Sequence, residues 1–220
     1  MIPNCILDTK YKIPLNEGLI GKTKKNFELI ITRYNENITW SDNYKEFRTV
    51  YNKGSDVDYE CINRPNIGRD GETILYHIIN NWDNLSETTF FCQGSINDRN
   101  DQILTINDFN NYINCKDIYY FKKRSDLPNK HDNFINFPKK FGEIYYELFQ
   151  HDYNKNFAWV SGMWISVNKK IIKNVPLEIY TNMLNLFEKY YLNNDPTCRI
   201  LACHCERLIL HVFELYNKNI

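Results

Sequence analysis

The sequence predicts an α/β protein built on a mostly parallel central sheet flanked by helices, and three observations carry that prediction. Short apolar, β-branched runs alternate with stretches of helical periodicity, at spacings that suit right-handed βαβ units. Three of these runs, Phe27 to Arg33, Arg48 to Asn52 and Thr88 to Cys92, close on polar residues or glycine, which puts polar groups beyond the carboxyl ends of strands, where open α/β sheets bind ligands. The 220 residues are 43% hydrophobic and 15% aromatic, enough for one sizeable core. A single domain over 27–220, preceded by a polar arm over 1–26, is the expected organisation.

Phe27 to Arg33 reads as a buried first strand leading into Arg33, Tyr34, Asn35 and Glu36. Trp40 to Phe47 has the length of two helical turns. Arg48 to Asn52 is a second strand closed by Lys53 and Gly54, and 55–65 reads as loop. Next comes Asn66-Ile67-Gly68-Arg69-Asp70-Gly71-Glu72, which has the chemistry of a turn entering a helix, and Thr73 to Trp82 carries apolar residues at helical spacing. Two glycines three apart permit positive φ or a close approach to a ligand. Free N–H groups, the positive end of a helix dipole and the Arg69 guanidinium together suit an anion such as a diphosphate. An ordinary loop capped by Asp70 fits the same spacing.

Thr88 to Cys92 is a third strand, ending at Gln93 and Gly94, and a polar loop with Asp98 and Asp101 follows. Ile106 to Cys115 reads as helix, Asp117 to Phe121 as strand, Ser125 to Pro138 as a loop placed to act as a flap, and Lys139 to Asp152 as helix. Ala158 to Val167, interrupted by Gly162, is strand-like, and Asn168 caps a short helix to Lys173. Pro176 opens a helix to about Leu192, and Ile200 to Leu215 forms the last. On that last helix Glu206, Leu210 and Phe213 share a side, which draws Glu206 toward the packed face. A carboxylate there pairs with a cation such as Arg207 or Arg199, or opens on a cleft, because burying it alone costs too much.

Lys+Arg and Asp+Glu both number 27, so no global field holds the chain on nucleic acid or an anionic membrane. No apolar run approaches the ~18 residues of a membrane span, and the first residues lack a signal core, so a cytoplasmic protein, of host cytoplasm or virion if viral, is expected. Oligomeric state is left open. Seven cysteines make an odd count without framework spacing, which favours reduced thiols. In Cys203-His204-Cys205 the two thiols point about 200° apart on a helix and do not readily close on one zinc ion.

Seven stretches in order, Arg33 to Glu36, Tyr51 to Gly54, Pro65 to Asp70, Leu75 to Ile79, Phe91 to Gly94, Ser161 to Val167 and Glu206 to Leu208, resemble the glycosyltransferase-like DUF3431 proteins of fungi, algae and giant viruses. The resemblance runs from about residue 27 to 216. It implies a GT-A fold with a Rossmann-like half for a nucleotide diphosphate sugar and another half for a hydroxyl acceptor on a glycan, protein or small molecule. On that reading Arg33, Tyr34, Asn35, Glu36, Lys53, Asn66, Gly68, Arg69, Gln93 and Gly94 meet the donor, and Ser161, Gly162 and Trp164 lie on the acceptor side. Glu206 is the implied general base and Asp70 the second choice. One departure matters: GT-A enzymes usually carry an Asp-x-Asp metal motif where this chain has Gln93 and Gly94. Arg69, Lys53 and Arg33 are then the cations expected to stabilise the leaving diphosphate, with Asp98 and Asp101 as the remaining carboxylates for Mn or Mg. The competing expectation is a catalytically inactive nucleotide-sugar or glycan-binding module of the same fold.

Overall fold

The computed structural model describes residues 12–96, 106–120, 123–124, 141–153, 159–160, 163–193 and 197–217. In chain order the elements are β1 (Phe27–Arg33), β2 (Arg48–Asn52), β3 (Ile62–Asn63), α1 (Arg69–Asn80), β4 (Thr88–Gln93), α2 (Ile106–Ile113), β5 (Ile118–Tyr120) and β6 (Lys123–Arg124). They continue with α3 (Phe141–Phe149), β7 (Trp159–Val160), β8 (Ile165–Asn168), α4 (Lys169–Asn174), α5 (Leu177–Leu192) and α6 (Thr197–Tyr216). The chain divides into two compact units, each drawn from three stretches. The first takes Met1–Asn66, Asp83–Phe121 and Gly162–Ile172; the second takes Ile67–Trp82, Lys122–Ser161 and Lys173–Ile220. Among the described residues no helix is long and apolar enough to cross a membrane.

The first unit holds a six-stranded sheet in the order β3-β2-β1-β4-β8-β5. Its first four strands run parallel, with Leu29 opposite Arg48 on one side and Phe90 on the other. Alternation sends Phe27, Leu29, Ile31, Val50, Phe90 and Cys92 to one face, where they join a buried cluster with Trp40, Tyr44, Phe109 and Tyr112. Phe109 sits edge-on to Trp40, Tyr44 and Phe90 at centroid distances of 6.3, 5.2 and 5.6 Å, the geometry that aromatic quadrupoles favour. Ile30, Tyr51, Phe91 and Val167, which point the other way, are buried too. Burial on both faces is why these strands read as continuous apolar runs rather than alternating ones.

Three departures from the expected elements have local causes. Thr39–Tyr44 is a 3-10 helix, not two α-turns: Ser41 Oγ turns back to the Ile38 carbonyl at 2.8 Å, and just before the helix Asn37 Oδ1 accepts from the Thr39 N–H at 2.9 Å. The expected loop 55–65 contains the two-residue edge strand β3. The apolar stretch 158–167 is not one strand: Met163 has φ 57°, a left-handed turn through which no strand can run. Its first part, β7, pairs with β6 in a separate two-stranded sheet, and its second part, β8, lies antiparallel between β4 and β5.

The second unit packs α1 against α5 and α6. Gly68 stands at the N-cap of α1 with φ 63°, and a Cβ there would fall on the Phe187 ring of α5. A Cβ on Gly71 would come within 2.8 Å of Cys205 Cβ on α6. The two glycines therefore let three helices approach closely, with a left-handed turn at the first. The helix begins at Arg69, four residues before the expected start. Asp70 is not its N-cap; it lies in the first turn, where Oδ1 accepts from the Gly71 N–H at 3.1 Å. Together with Glu72 it puts negative charge at the positive helix end. As expected, Asn168 caps α4, its Oδ1 accepting from the Lys170 N–H at 2.9 Å.

Candidate functional site

In the second unit the first turn of α1 meets the middle of α6. This brings together Arg69, Asp70, Cys203, Glu206 and Arg207, residues more than 130 positions apart in the chain. The meeting is visible in the Cys203 thiol. Burial and then Glu206 push its pKa up, Arg207 and Arg69 oppose the rise, and Asp70 adds to it. Arg69 is exposed, in a left-handed backbone conformation with φ 52°, and among the described residues its guanidinium makes no hydrogen bond or ion pair. Asp70 is buried and Glu206 is half-buried. Arg207, buried like a core residue, donates to the Cys203 carbonyl one helical turn earlier. The side chain of Arg199 lies outside the described residues. Of the N–H groups expected to be free at this helix start, that of Gly71 is taken by Asp70, while Glu72 N makes the first bond of the helix, to Gly68 O at 3.3 Å.

Elsewhere on α6, Cys205 is buried while Cys203 is half-buried, and His204 packs against the Phe141 ring at 5.4 Å. His211 Nε2 is 3.0 Å from the Tyr145 hydroxyl of α3. Burial lowers the His211 pKa, Glu214 opposes that, and His151 reinforces it. A histidine whose folded pKa is depressed contributes stability that is present above its unfolded pKa of about 6.5 and is lost as pH falls toward the folded value. The melting temperature is therefore expected to drop as the pH falls below about 6.5, the unfolded value, and His211→Asn should flatten that drop. An unchanged slope in the variant would remove His211 as its source.

In the first unit the polar residues after β1, β2 and β4 do gather at the carboxyl edge, and most bind one another. Arg33 is buried. Its Nε donates to Glu36 O at 3.1 Å, and its Nη1 reaches Tyr34 O at 3.2 Å, Asn52 Oδ1 at 2.7 Å and Ser55 O at 3.1 Å. Asn52 passes its amide on to Ser55 O and Asn63 Oδ1, both at 3.0 Å. Asn35 Oδ1 accepts from Ser55 N and Oγ, and Glu36 Oε2 accepts from Tyr34 N at 2.6 Å and Asn35 N at 3.2 Å. Gly94 donates to Thr32 O and accepts from Trp40 Nε1, both at 2.8 Å. A Cβ on Gly94 would press on Glu36 Oε2 at 2.8 Å, and one on Gly54 would overlap the Tyr34 carbonyl oxygen.

This network narrows one expected role, and burial corrects another. Arg33 clamps the 34–36 and 52–55 segments through Nε and Nη1, which four acceptors hold, so the phosphate contact expected of it is left to Nη2. Trp164 is buried in the core of the first unit and offers no surface to an acceptor. Lys53 is buried, with its N–H on Arg33 O at 2.8 Å; Gln93 is half-buried, Asn66 is exposed, and Tyr34 is 52% exposed. A cavity of about 510 Å³ opens beside the β1 end, lined by Asn35, Glu36 and Asn37 on one side and Asp58 and Tyr59 on the other. Asp98, Asp101, Ser161, Gly162 and the 125–138 loop lie outside the described residues. Among the described residues no group of three His, Cys, Asp or Glu side chains is placed to hold a metal such as Mn or Mg.

The sequence reading missed Asn52, which had a signal in its place as the last residue of a strand entering Lys-Gly. Arg207 is expected there only as a cation to pair with Glu206, and no residue pattern announces its burial or its bond to the Cys203 carbonyl. Comparison with family models, with curated proteins and with solved structures finds no match.

Proposed function

We propose that the chain is a glycosyltransferase that moves a sugar from a nucleotide diphosphate sugar to a hydroxyl acceptor. The observation that carries this reading is the meeting, within the second unit, of an exposed guanidinium with no hydrogen bond or ion pair among the described residues and a half-buried carboxylate, Arg69 and Glu206. In an inverting transfer the acceptor oxygen bonds to the anomeric carbon as its proton passes to Glu206. The bond from that carbon to the diphosphate breaks, and the electron pair leaves with the phosphate oxygen. The departing diphosphate gains negative charge, which a fixed cation stabilises without having to reorganise. Arg69 supplies that cation, aided by its place at the positive end of α1.

The first unit supports ligand binding through its own topology. From β1 the chain goes to β2 on one side, while β4 lies on the other, so the strand order reverses between β1 and β4. The crevice beyond the carboxyl ends at such a reversal is the general binding place of open α/β sheets.

The test is a melting curve with UDP and with GDP, each with and without Mn²⁺. One of them is expected to raise the melting temperature, in line with the ~2.7 kcal/mol that a ligand contributes at a hundredfold excess over Kd. Arg69→Ala should abolish that rise without lowering the melting temperature of the free protein, since the side chain is exposed. A full rise in Arg69→Ala would take Arg69 out of the phosphate site, and no rise with either nucleotide would overturn the proposal.

A further inference from the structure

We infer that the open edge of the first unit carries a second binding groove, for a neutral, hydroxyl-rich ligand of the saccharide class. β3 covers only Tyr51 and Asn52 of β2, so Arg48 to Val50 have no strand beside them on that side among the described residues. A cavity of about 570 Å³ lies against this uncovered half-strand, walled opposite by Tyr59, Glu60, Cys61 and Ile62. It shares Lys45, Arg48 and Tyr59 with the 510 Å³ cavity at the β1 end, so the two are neighbours along the edge.

The charge of the lining selects the ligand. Four cations, Lys24, Arg33, Lys45 and Arg48, stand among five carboxylates; all four cations are already engaged, and so are two of the carboxylates, Glu36 and Asp42. Arg33 has its four acceptors, Lys24 Nζ donates to Thr49 Oγ1 at 2.6 Å, and Arg48 reaches Ser41 Oγ at 2.8 Å and Asp42 Oδ1 at 3.4 Å. Lys12 and Lys45 close on the same Asp42 at 3.0 and 3.9 Å. A phosphate or sulfate ester would meet more negative than free positive charge, and a lipid or apolar peptide would leave these polar groups unpaired. A sugar brings hydroxyls that both donate and accept, suited to interspersed carboxylates and cations, and apolar C–H faces suited to an aromatic ring. Tyr59 is the aromatic ring that lines both cavities: it is half-buried against the core, and the Arg48 guanidinium carbon stands over it, 5.6 Å from the ring centroid.

This groove does not depend on the transferase proposal, and the probes keep the two apart, since nucleotides test that one and neutral sugars this one. The experiment is an amide chemical-shift titration of the full chain with maltose, cellobiose and N,N′-diacetylchitobiose, with a sulfated disaccharide and UDP as anionic arms. At least one neutral sugar is expected to shift the Thr49, Tyr59 and Cys61 amides saturably, and Tyr59→Ala to weaken that binding by about tenfold. Tyr59→Phe should keep it. Because Tyr59 touches the core, the exposed Glu60→Gln is the second variant; several-fold weaker sugar binding with an unchanged melting temperature supports the groove. It is overturned if no neutral sugar shifts these amides, if the sulfated sugar or UDP shifts them more strongly, or if Glu60→Gln and Tyr59→Ala both bind as wild type.

Discussion

Glu206→Gln is expected to lower turnover of a nucleotide sugar by about 10²–10⁴-fold, the range that a positioned general base contributes, while nucleoside diphosphate binding persists. Glutamine keeps the size and hydrogen-bonding reach of the side chain but cannot accept a proton at neutral pH. The position is half-buried, so the exchange leaves the packing of Leu210 and Phe213 intact and should hardly move the melting temperature. Single-turnover assays with a panel of donors separate the alternatives. A wild-type protein that binds nucleotide and turns over no donor is the inactive binding module that Gln93 and Gly94, in place of a carboxylate pair, would suit. Full activity in Glu206→Gln moves the base to Asp70, whose buried carboxylate is the other acid beside Arg69.

Gly54→Ala is expected to cost about 3 kcal/mol or more, at the upper end of overpacking penalties. The methyl group would occupy the place of the Tyr34 carbonyl oxygen, which is backbone and cannot rotate away. Relief requires the 34–36 loop to lift. That loop carries two of the four acceptors of Arg33 and the Asn35 side chain that holds Ser55. Asn52 would lose part of its shell in the same movement. For a chain of this length the melting temperature should fall by roughly 6–12 °C. Gly21→Ala is the contrast: Gly21 has φ 77°, which Gly54 does not share, but nothing lies near its would-be Cβ, so only the backbone strain of about 1–2 kcal/mol remains. A loss in Gly54→Ala no larger than that in Gly21→Ala would overturn the close approach as its cause.

The strands were legible where burial acts on both faces. Phe27 to Arg33, Arg48 to Asn52 and Thr88 to Cys92 announce themselves as apolar, β-branched runs because no face of them needs a polar residue. Ala158 to Val167 looked the same and was not one strand, since its break sits at Met163, a residue type that says nothing about a left-handed turn. The carboxyl edge was legible as a place but not as a state. Arg33, Asn35 and Glu36 sit where a ligand-binding rim is expected, yet which of their donors and acceptors meet each other depends on loops that approach only in three dimensions. Arg69 and Glu206 could be paired beforehand only through the family resemblance. Periodicity turns Glu206 inward on α6, but it carries no information about which helix lies opposite.

The position of β8 has a further consequence for biosynthesis. The strand lies between β4 and β5 in space but follows both by at least 45 residues in the chain, so during translation the growing sheet ends at an uncovered β4 until Asn168 clears the ribosomal tunnel. A nascent chain paused before that point displays Phe90 and Phe91 on a bare hydrogen-bonding rim, which makes this the window in which chaperones and self-association compete for it.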